Sequence, residues 1–483
     1  MRHLKRITLS SLLVLLGFSL AAPPPTLFDT PWDDLSVFTN DLVPARQNDL
    51  TALKDAPVYH LELTLPERSS TITGKMEVRF TNTTFDLLDD LVFRLYPNAL
   101  GATMTVDNVR VAGRAVTAGL EAQNTALRVP LALSLLPGED VVVSIDFAVS
   151  LSGTSVAYGR LAQYEDVLSL ADAYPTLSVF RDGAWETNVP DPAGDPLVAG
   201  VGFYLVRVRA PEDLQLVTTG RLTEESLGNG QRTAVFAAGP ARDFYLAAAT
   251  NYTLLSRVVG DTLINAYVPA GLVSGGERTL EIAARALELF SKNFTPYPYR
   301  ELEIVAVPVT AGGIEYPGLV NLANSLYSDR SGTLDSVVAH EVAHQWSFNL
   351  VGSDQIEEPW LDESLAQYLT LLYHREYATE RFVDGYLQNW RDLWRSAPDP
   401  DKKVGLPVAE YDRDYSAIVY GRGLFFYEAL EQRLGRETVK AVLKRYYTRY
   451  AWDFVTTEDL ETVAEEVCAC DLSDLFEVWI GAR

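Results

Sequence analysis

Histidine and cysteine are the scarce residues of this chain: five histidines and two cysteines among 483 residues. The cysteines, Cys468 and Cys470, stand one residue apart. A lone Cys-x-Cys pair does not complete a metal site, and joining the two sulfurs closes only a small, strained ring. A local disulfide and a pair of free thiols are both open. Positive charge is the second deficit. Lys and Arg number 40 against 65 Asp and Glu, a formal charge of −25. That excludes nucleic acid and anionic membrane surfaces as natural partners. Long apolar runs are the third. Past the N-terminus no segment holds eighteen consecutive apolar residues, so no stable membrane insertion is expected. Internal repeats and low-complexity tracts are absent too.

What is present divides the chain into regions. Arg2, Lys5 and Arg6 precede an apolar stretch over residues 7–20, and the small residues Ser19, Ala21 and Ala22 close it. This is the pattern of a cleavable signal peptide over residues 1–21, and a secreted, periplasmic or extracellular location is expected. Residues 22–56, rich in Pro and Asp, read as a leader segment packed loosely on the surface. From Val58 the pattern has period two: Tyr59, Leu61, Leu63 and Leu65, then Met76, Val78 and Phe80, then Leu91, Phe93 and Leu95, then Val141, Val143, Ile145 and Phe147. Such runs are half-buried antiparallel strands, and they place a β domain over residues 57–250. His60 falls on the polar face of the first strand and reads as structural. Past residue 250 the spacing turns helical, as in Leu280, Ala283, Leu287 and Phe290. From Thr333 the chain is mostly helical. The expected fold class is α+β: an N-terminal antiparallel β domain, then a mainly helical domain over residues 251–483.

Two of the five histidines share one motif, His340-Glu341-Val342-Ala343-His344. Four residues apart on a helix, their imidazoles lie on one face and can reach one metal ion, typically zinc. Glu341 can then point at a water on that metal, the general-base geometry of a zinc peptidase. Val337, Val338, Ala339, Val342, Ala343, Trp346 and Phe348 would bury the motif. Two histidines and a water leave one position for a protein ligand. Glu363 is the candidate, nineteen positions after His344 at the start of a second apolar-periodic segment. His340, His344 and Glu363 would complete the His2Glu set of catalytic zinc with one ion.

These stretches resemble the gluzincin zinc aminopeptidases, the family of aminopeptidase N and leukotriene hydrolase. Trp360-Leu361-Asp362-Glu363-Ser364 stands where that family has a Trp-Leu-Asn-Glu-Gly-like run. Gly312-Gly313-Ile314-Glu315-Tyr316 is similar to its Gly-Ala-Met-Glu-Asn exopeptidase motif, and Tyr420-Gly421-Arg422-Gly423 to its Tyr-x-Lys-Gly. The resemblance covers roughly residues 55–483. It implies a saddle-like β domain, a thermolysin-like catalytic domain, and Tyr420 as the phenol that stabilises the oxyanion. It also implies that Glu315 anchors the free α-amine of a peptide. A carboxylate at the end of a Gly-rich strand suits that role, with Gly312 and Gly313 letting substrate backbone approach closely. Ile314, Tyr316 and Arg422 depart from the family pattern. The family's second amine anchor, a Gln or Glu of the β domain, has no clean counterpart; residues 163–174 are where it is expected. Larger members carry further domains, so this chain is expected to be a minimal two-domain form.

Aromatic residues such as Tyr297, Tyr299, Trp390 and Trp394 read as core, and His374 as structural. The function expected is a zinc aminopeptidase acting on peptides with a free N-terminus. A gluzincin endopeptidase and a catalytically lapsed binding protein of the same fold are the alternatives. First-residue preference and oligomeric state are not encoded in any motif.

Overall fold

The computed structural model describes residues 27–67, 70–151, 157–191 and 194–481. The expected signal peptide lies outside the described residues. The first half of the chain is β-rich. Its largest sheet has eight strands, with Val58–Thr64 at its centre between Gly202–Pro211 (parallel) and Thr71–Thr81 (antiparallel). Two four-stranded sheets and a two-stranded ribbon (Phe180–Arg181 with Ala184–Trp185) complete this half among the described residues. The alternation that marks these strands is used as expected: Tyr59, Leu61, Leu63, Met76, Val78, Val143 and Ile145 are buried in one apolar core.

His60, on the opposite face, is buried as well, because Trp32 stacks on its ring with centroids 4.0 Å apart. That contact corrects the reading of the leader. Its described part does not lie loosely on the surface: Leu27, Phe38, Leu42 and Leu50 are buried in the core of the second half. The leader buries single apolar residues from short helical turns and an isolated bridge, so it has no periodicity to read. It also joins the two halves. Asp41 accepts from Gly239 N–H at 3.0 Å, and Trp452 Nε1 donates to Asp49 at 2.7 Å.

The second half opens with a five-stranded sheet. Its strands are β1 (Tyr252–Val259), β2 (Thr262–Pro269), β3 (Glu301–Val307), β4 (Gly313–Tyr316) and β5 (Leu319–Ala323), in spatial order β1-β2-β3-β5-β4. β4 is therefore an edge strand. Helix α1 (Val273–Asn293) buries Leu280, Ala283, Leu287 and Phe290. Four helices then matter for the site: α2 (Thr333–Ala343), α3 (Trp360–Tyr377), α4 (Glu380–Arg395) and α5 (Gly423–Leu434), the last entered through a π-helical turn over Ser416–Arg422. A buried arginine ties the halves together: Arg242 donates to the carbonyls of Ala199, Phe348 and Asp453. Glycine is required at 352, where a Cβ would fall 2.2 Å from that guanidinium.

Near the C-terminus Cys468 and Cys470 form a disulfide. No helix among the described residues is long and apolar enough to cross a membrane.

Candidate active site

The cleft between the two halves is a cavity of about 330 Å³. The histidine motif lies on its floor. α2 ends at Ala343, earlier than the apolar flank suggests, and Phe348 takes a positive φ of 82°. His344 keeps helical dihedrals as the C-cap, so it still stands one turn above His340. Their Nε2 atoms are 3.0 Å apart. Glu363, in the first turn of α3, places Oε2 3.1 Å from His340 Nε2 and 3.4 Å from His344 Nε2. Three donor atoms thus converge on one point, as the spacing predicts. Burial opposes charge on Glu363, yet the hydrogen bonds and charge of the two histidines hold its carboxyl well below the usual carboxylate range.

The neighbouring polar groups were not read from the sequence. Asp362 Oδ1 lies 2.5 Å from His344 Nδ1, which places a proton on Nδ1 and turns Nε2 toward Glu363. Gln355 donates to both Asp362 Oδ2 (2.6 Å) and Glu315 Oε1 (3.2 Å). Gln345, next to the motif, donates to Tyr316 O and accepts from Gly318 N–H, both at 2.9 Å. It fastens the edge strand β4 to the end of α2. Asp362 had a signal, a carboxylate beside a candidate ligand; the two glutamines had none.

Glu315, on β4, is buried and lines the cleft. Burial pushes its carboxyl up to about 7. One ligand atom each of Glu315, Glu341 and His344 lies within 4.8 Å of the others. Glu341 is likewise buried, and burial with the charge of Glu315 drives its pKa well above the ordinary value. Gly313 has a function the motif did not reveal. A Cβ there would sit 2.5 Å from the Glu341 carboxylate, so glycine makes room for that side chain. Gly312 packs over Val337 on α2, with 3.3 Å to a built Cβ.

Tyr420 sits in the π-helical turn, a feature that recurs at functional sites. Its ring stacks on His340 at 5.8 Å and on Trp390 at 6.2 Å, and its hydroxyl interacts with Glu363. Arg422 points away and donates to the carbonyls of Pro400 and Val478. Gly423 is forced by packing: a Cβ would fall 2.0 Å from Ser364 Oγ, which itself donates to Val419 O. This contact presses the Tyr420 turn onto α3 beside Glu363. Trp390, read as core, is half-buried and lines the cleft. His374 meets Ser336 Oγ at 2.9 Å inside the protein.

The β half contributes residues that the sequence did not mark. Gln163, Tyr164, Glu165 and Asp166 are exposed, and Tyr174 is buried in the β core. None of residues 163–174 lines the cleft; Tyr158, Arg160, Gly194 and Asp195 do. Asp195 is buried, ion-paired with Arg160, and interacts with Glu363.

Comparison with known proteins agrees with this geometry. Residues 278–479 match the Peptidase family M1 domain. Aminopeptidase M1-B of Oryza sativa subsp. japonica is 28% identical over 295 residues, covering 57% of this chain and 34% of its own length. A leucyl aminopeptidase of Saccharolobus solfataricus is 24% identical over 297 residues, covering 57% and 38%. The chain thus spans little more than a third of the length of these relatives. An M1 zinc metallopeptidase from Deinococcus radiodurans, in a mutant form bound to a Tyr-Ser-Ala substrate, superimposes with a TM-score of 0.69 at 21% identity, over 89% of this chain and 95% of that one. Its unmutated crystal structure gives 0.68 over 88% and 94%. The peptidase-domain match, the histidine–glutamate centre and the two-part α+β fold agree with one another, and over residues 278–479 the chain is similar to the M1 peptidases.

Proposed function

We propose that this protein is a zinc-dependent aminopeptidase that removes single residues from the free N-terminus of peptides. The observation that carries the proposal is the spacing of the three donor atoms, 3.0, 3.1 and 3.4 Å. Bonds of ~2.0–2.1 Å in a tetrahedral site put ligand atoms ~3.3 Å apart, so His340, His344 and Glu363 suit one zinc ion. The Asp362 contact supports it, since it leaves His344 Nε2 free to donate a lone pair. When bound, zinc would lower the pKa of a water toward ~7 and polarise the scissile carbonyl.

The remaining steps belong to the chain. Glu341 takes a proton from the attacking water and delivers it to the leaving amine. Tyr420 donates to the oxyanion that develops on the carbonyl. Glu315, at the edge strand, pairs with the substrate α-ammonium and limits cleavage to the first bond. Val337, Trp390 and Tyr386 present apolar surface in the same cleft. We place this activity outside the cytoplasm; the basic-then-apolar N-terminus and the Cys468–Cys470 disulfide both favour an oxidising compartment.

The test is hydrolysis of a leucine chromogenic amide and its N-acetylated twin, with and without a chelator. Chelator-sensitive cleavage of the free-amine substrate alone is expected. Cleavage of both would convert the reading to an endopeptidase. Zinc uptake with no hydrolysis across a range of first residues would convert it to a binding protein.

A further inference from the structure

Val337, Tyr386 and Trp390 line the cleft, and no step of the proposed chemistry uses them. What they meet depends on how a bound peptide runs. Gly312 O accepts from Ala323 N–H at 3.0 Å. In an antiparallel pair the main-chain groups of alternate residues turn the same way. Those of Gly312 and Ile314 therefore turn to β5, and those of Gly313 and Glu315 to the open edge of β4. An extended peptide can pair with such an edge. The bond to be cut must face Glu341, and Gly313 is the residue that lies over the Glu341 carboxylate, 2.5 Å from a built Cβ. A peptide with its α-ammonium at Glu315 thus runs back along β4, past Gly313 toward Gly312.

Helix α2 keeps step with that path. Gly312 lies over Val337, with 3.3 Å to a built Cβ, and Val337 precedes Glu341 by one turn, ~6 Å along the axis. Val337 therefore flanks the residue after the scissile bond. Aromatic rings form the facing wall. Tyr420 stacks on His340, and Trp390 is nearly parallel to Tyr420, with centroids 6.2 Å apart at 13°. Tyr386, one turn back along α4, meets Trp390 edge-on at 6.4 Å. Ser336, beside Val337, ties α2 to that wall: its Oγ is 2.9 Å from His374 Nε2, and the His374 ring packs on Tyr386 with centroids 4.8 Å apart. Gln367 donates to the Tyr386 hydroxyl at 2.7 Å. The wall is thus fixed before a peptide arrives.

We infer that Val337, Tyr386 and Trp390 form the pocket for the second residue of the peptide, and that they select a large apolar side chain there. Val337 and Trp390 are only half-buried, so an apolar side chain that closes on them removes surface of both from water. A charged one would give up hydration for no partner: none of the three carries a charge, and the Tyr386 hydroxyl and the neighbouring Ser336 Oγ are already hydrogen-bonded within the protein. The inference rests on the aminopeptidase reading and deepens it. Glu315 sets where a peptide is cut, and this pocket sets which peptides are cut.

The experiment measures kcat/KM of the zinc-loaded full chain on Leu-Xaa-Ala tripeptides, with Phe, Leu, Gly or Asp as second residue, by released leucine. Leu-Phe-Ala is expected to exceed Leu-Gly-Ala ~10–100-fold, with Leu-Asp-Ala the poorest. Trp390→Ala is expected to bring the Phe-to-Gly ratio within a few-fold of one. Val337→Phe, which fills the pocket from the other side, is expected to turn the preference toward Gly. Binding gives a readout apart from turnover: in Glu341→Gln, calorimetric Kd values should follow the same order and lose it when Trp390→Ala is added. A flat series with leucine still released overturns the pocket and leaves the aminopeptidase standing. A fall shared by all peptides in Trp390→Ala, with the ratio kept, also overturns it, because Trp390 would then serve only to support Tyr420. So does a shift confined to first-residue preference in an Xaa-Ala-Ala series. Cleavage at internal bonds alone, or at none, overturns the aminopeptidase reading itself.

Discussion

The two walls of the cleft are made in different ways. The wall from the second half comes from regular elements: an edge strand, the last turn of α2, the first turn of α3 and a π-helical turn. Its side chains hold one another through Gln345, Gln355, Asp362 and Ser364. The wall from the β half comes from irregular chain at residues 158–160 and 194–195, joined by the Arg160–Asp195 ion pair. A reacting carbonyl needs groups placed to within a fraction of an ångström, and rigid elements provide that. The β wall can shape and charge the cleft with looser tolerances. The comparison predicts that substitutions on the first wall act on kcat and those on the second on KM.

The largest effect is expected at Glu341. Glu341→Gln removes the general base without touching a ligand, so kcat should fall ~10²–10⁴-fold while zinc content stays equimolar. Turnover near wild type in this variant would remove the whole proposed mechanism. Tyr420→Phe comes next, with kcat expected to drop ~10²–10³-fold and KM little changed, the signature of a donor used mainly in the transition state. A rise in KM of that size with kcat intact would instead make Tyr420 a substrate-binding residue, and the contrast between the walls would weaken.

On the opposite wall the expected loss is smaller. Asp195→Asn keeps shape and removes one charge beside Glu363; KM for a free-amine substrate should rise about tenfold, equal to ~1.4 kcal/mol of binding, with kcat within a few-fold. If kcat falls as far as in Tyr420→Phe, the β wall takes part in the chemistry and the division proposed here fails.

The same contrast governs what the sequence disclosed. His340, Glu341 and His344 were legible because helix geometry dictates their spacing, and Glu363 because tetrahedral zinc leaves one protein ligand to find. Period-two runs such as Tyr59, Leu61 and Leu63 disclosed the β half for the same reason: a regular backbone imposes a regular pattern. Asp195 and Arg160 were illegible because irregular chain has no period and their meeting depends on long-range packing. Gln345 and Gln355 were illegible for another reason. Both are buried in turns, and a buried polar residue in a turn looks in sequence like a solvated one. The leader was misread because isolated Leu27, Phe38 and Leu42 carry no periodic signal, although each is buried.

That leader bears on whether the two walls keep their distance, and it gives the smallest prediction. Asp41 accepts from Gly239 N–H in the β half, while its own carbonyl accepts from Arg300 N–H in the other half. Burial pushes the Asp41 carboxyl up to about 7, and burial pushes Glu303, lining the same small cavity, up to about 8. Both folded values lie above the unfolded ones near ~4. Between pH ~4 and 7–8 the folded chain therefore holds protons that the unfolded chain has released, and stability must fall as pH rises through that window, by at most ~1.4 kcal/mol per pH unit for each group. Melting temperature is expected to decline from pH 5 to 8, and Asp41→Asn, always neutral, to flatten the decline. Amide exchange locates the loosening. Protection should be lost first at the leader and at Gly239, with α2 and α3 unaffected. Equal loss in α2 would mean that the walls depend on one another more than their construction implies.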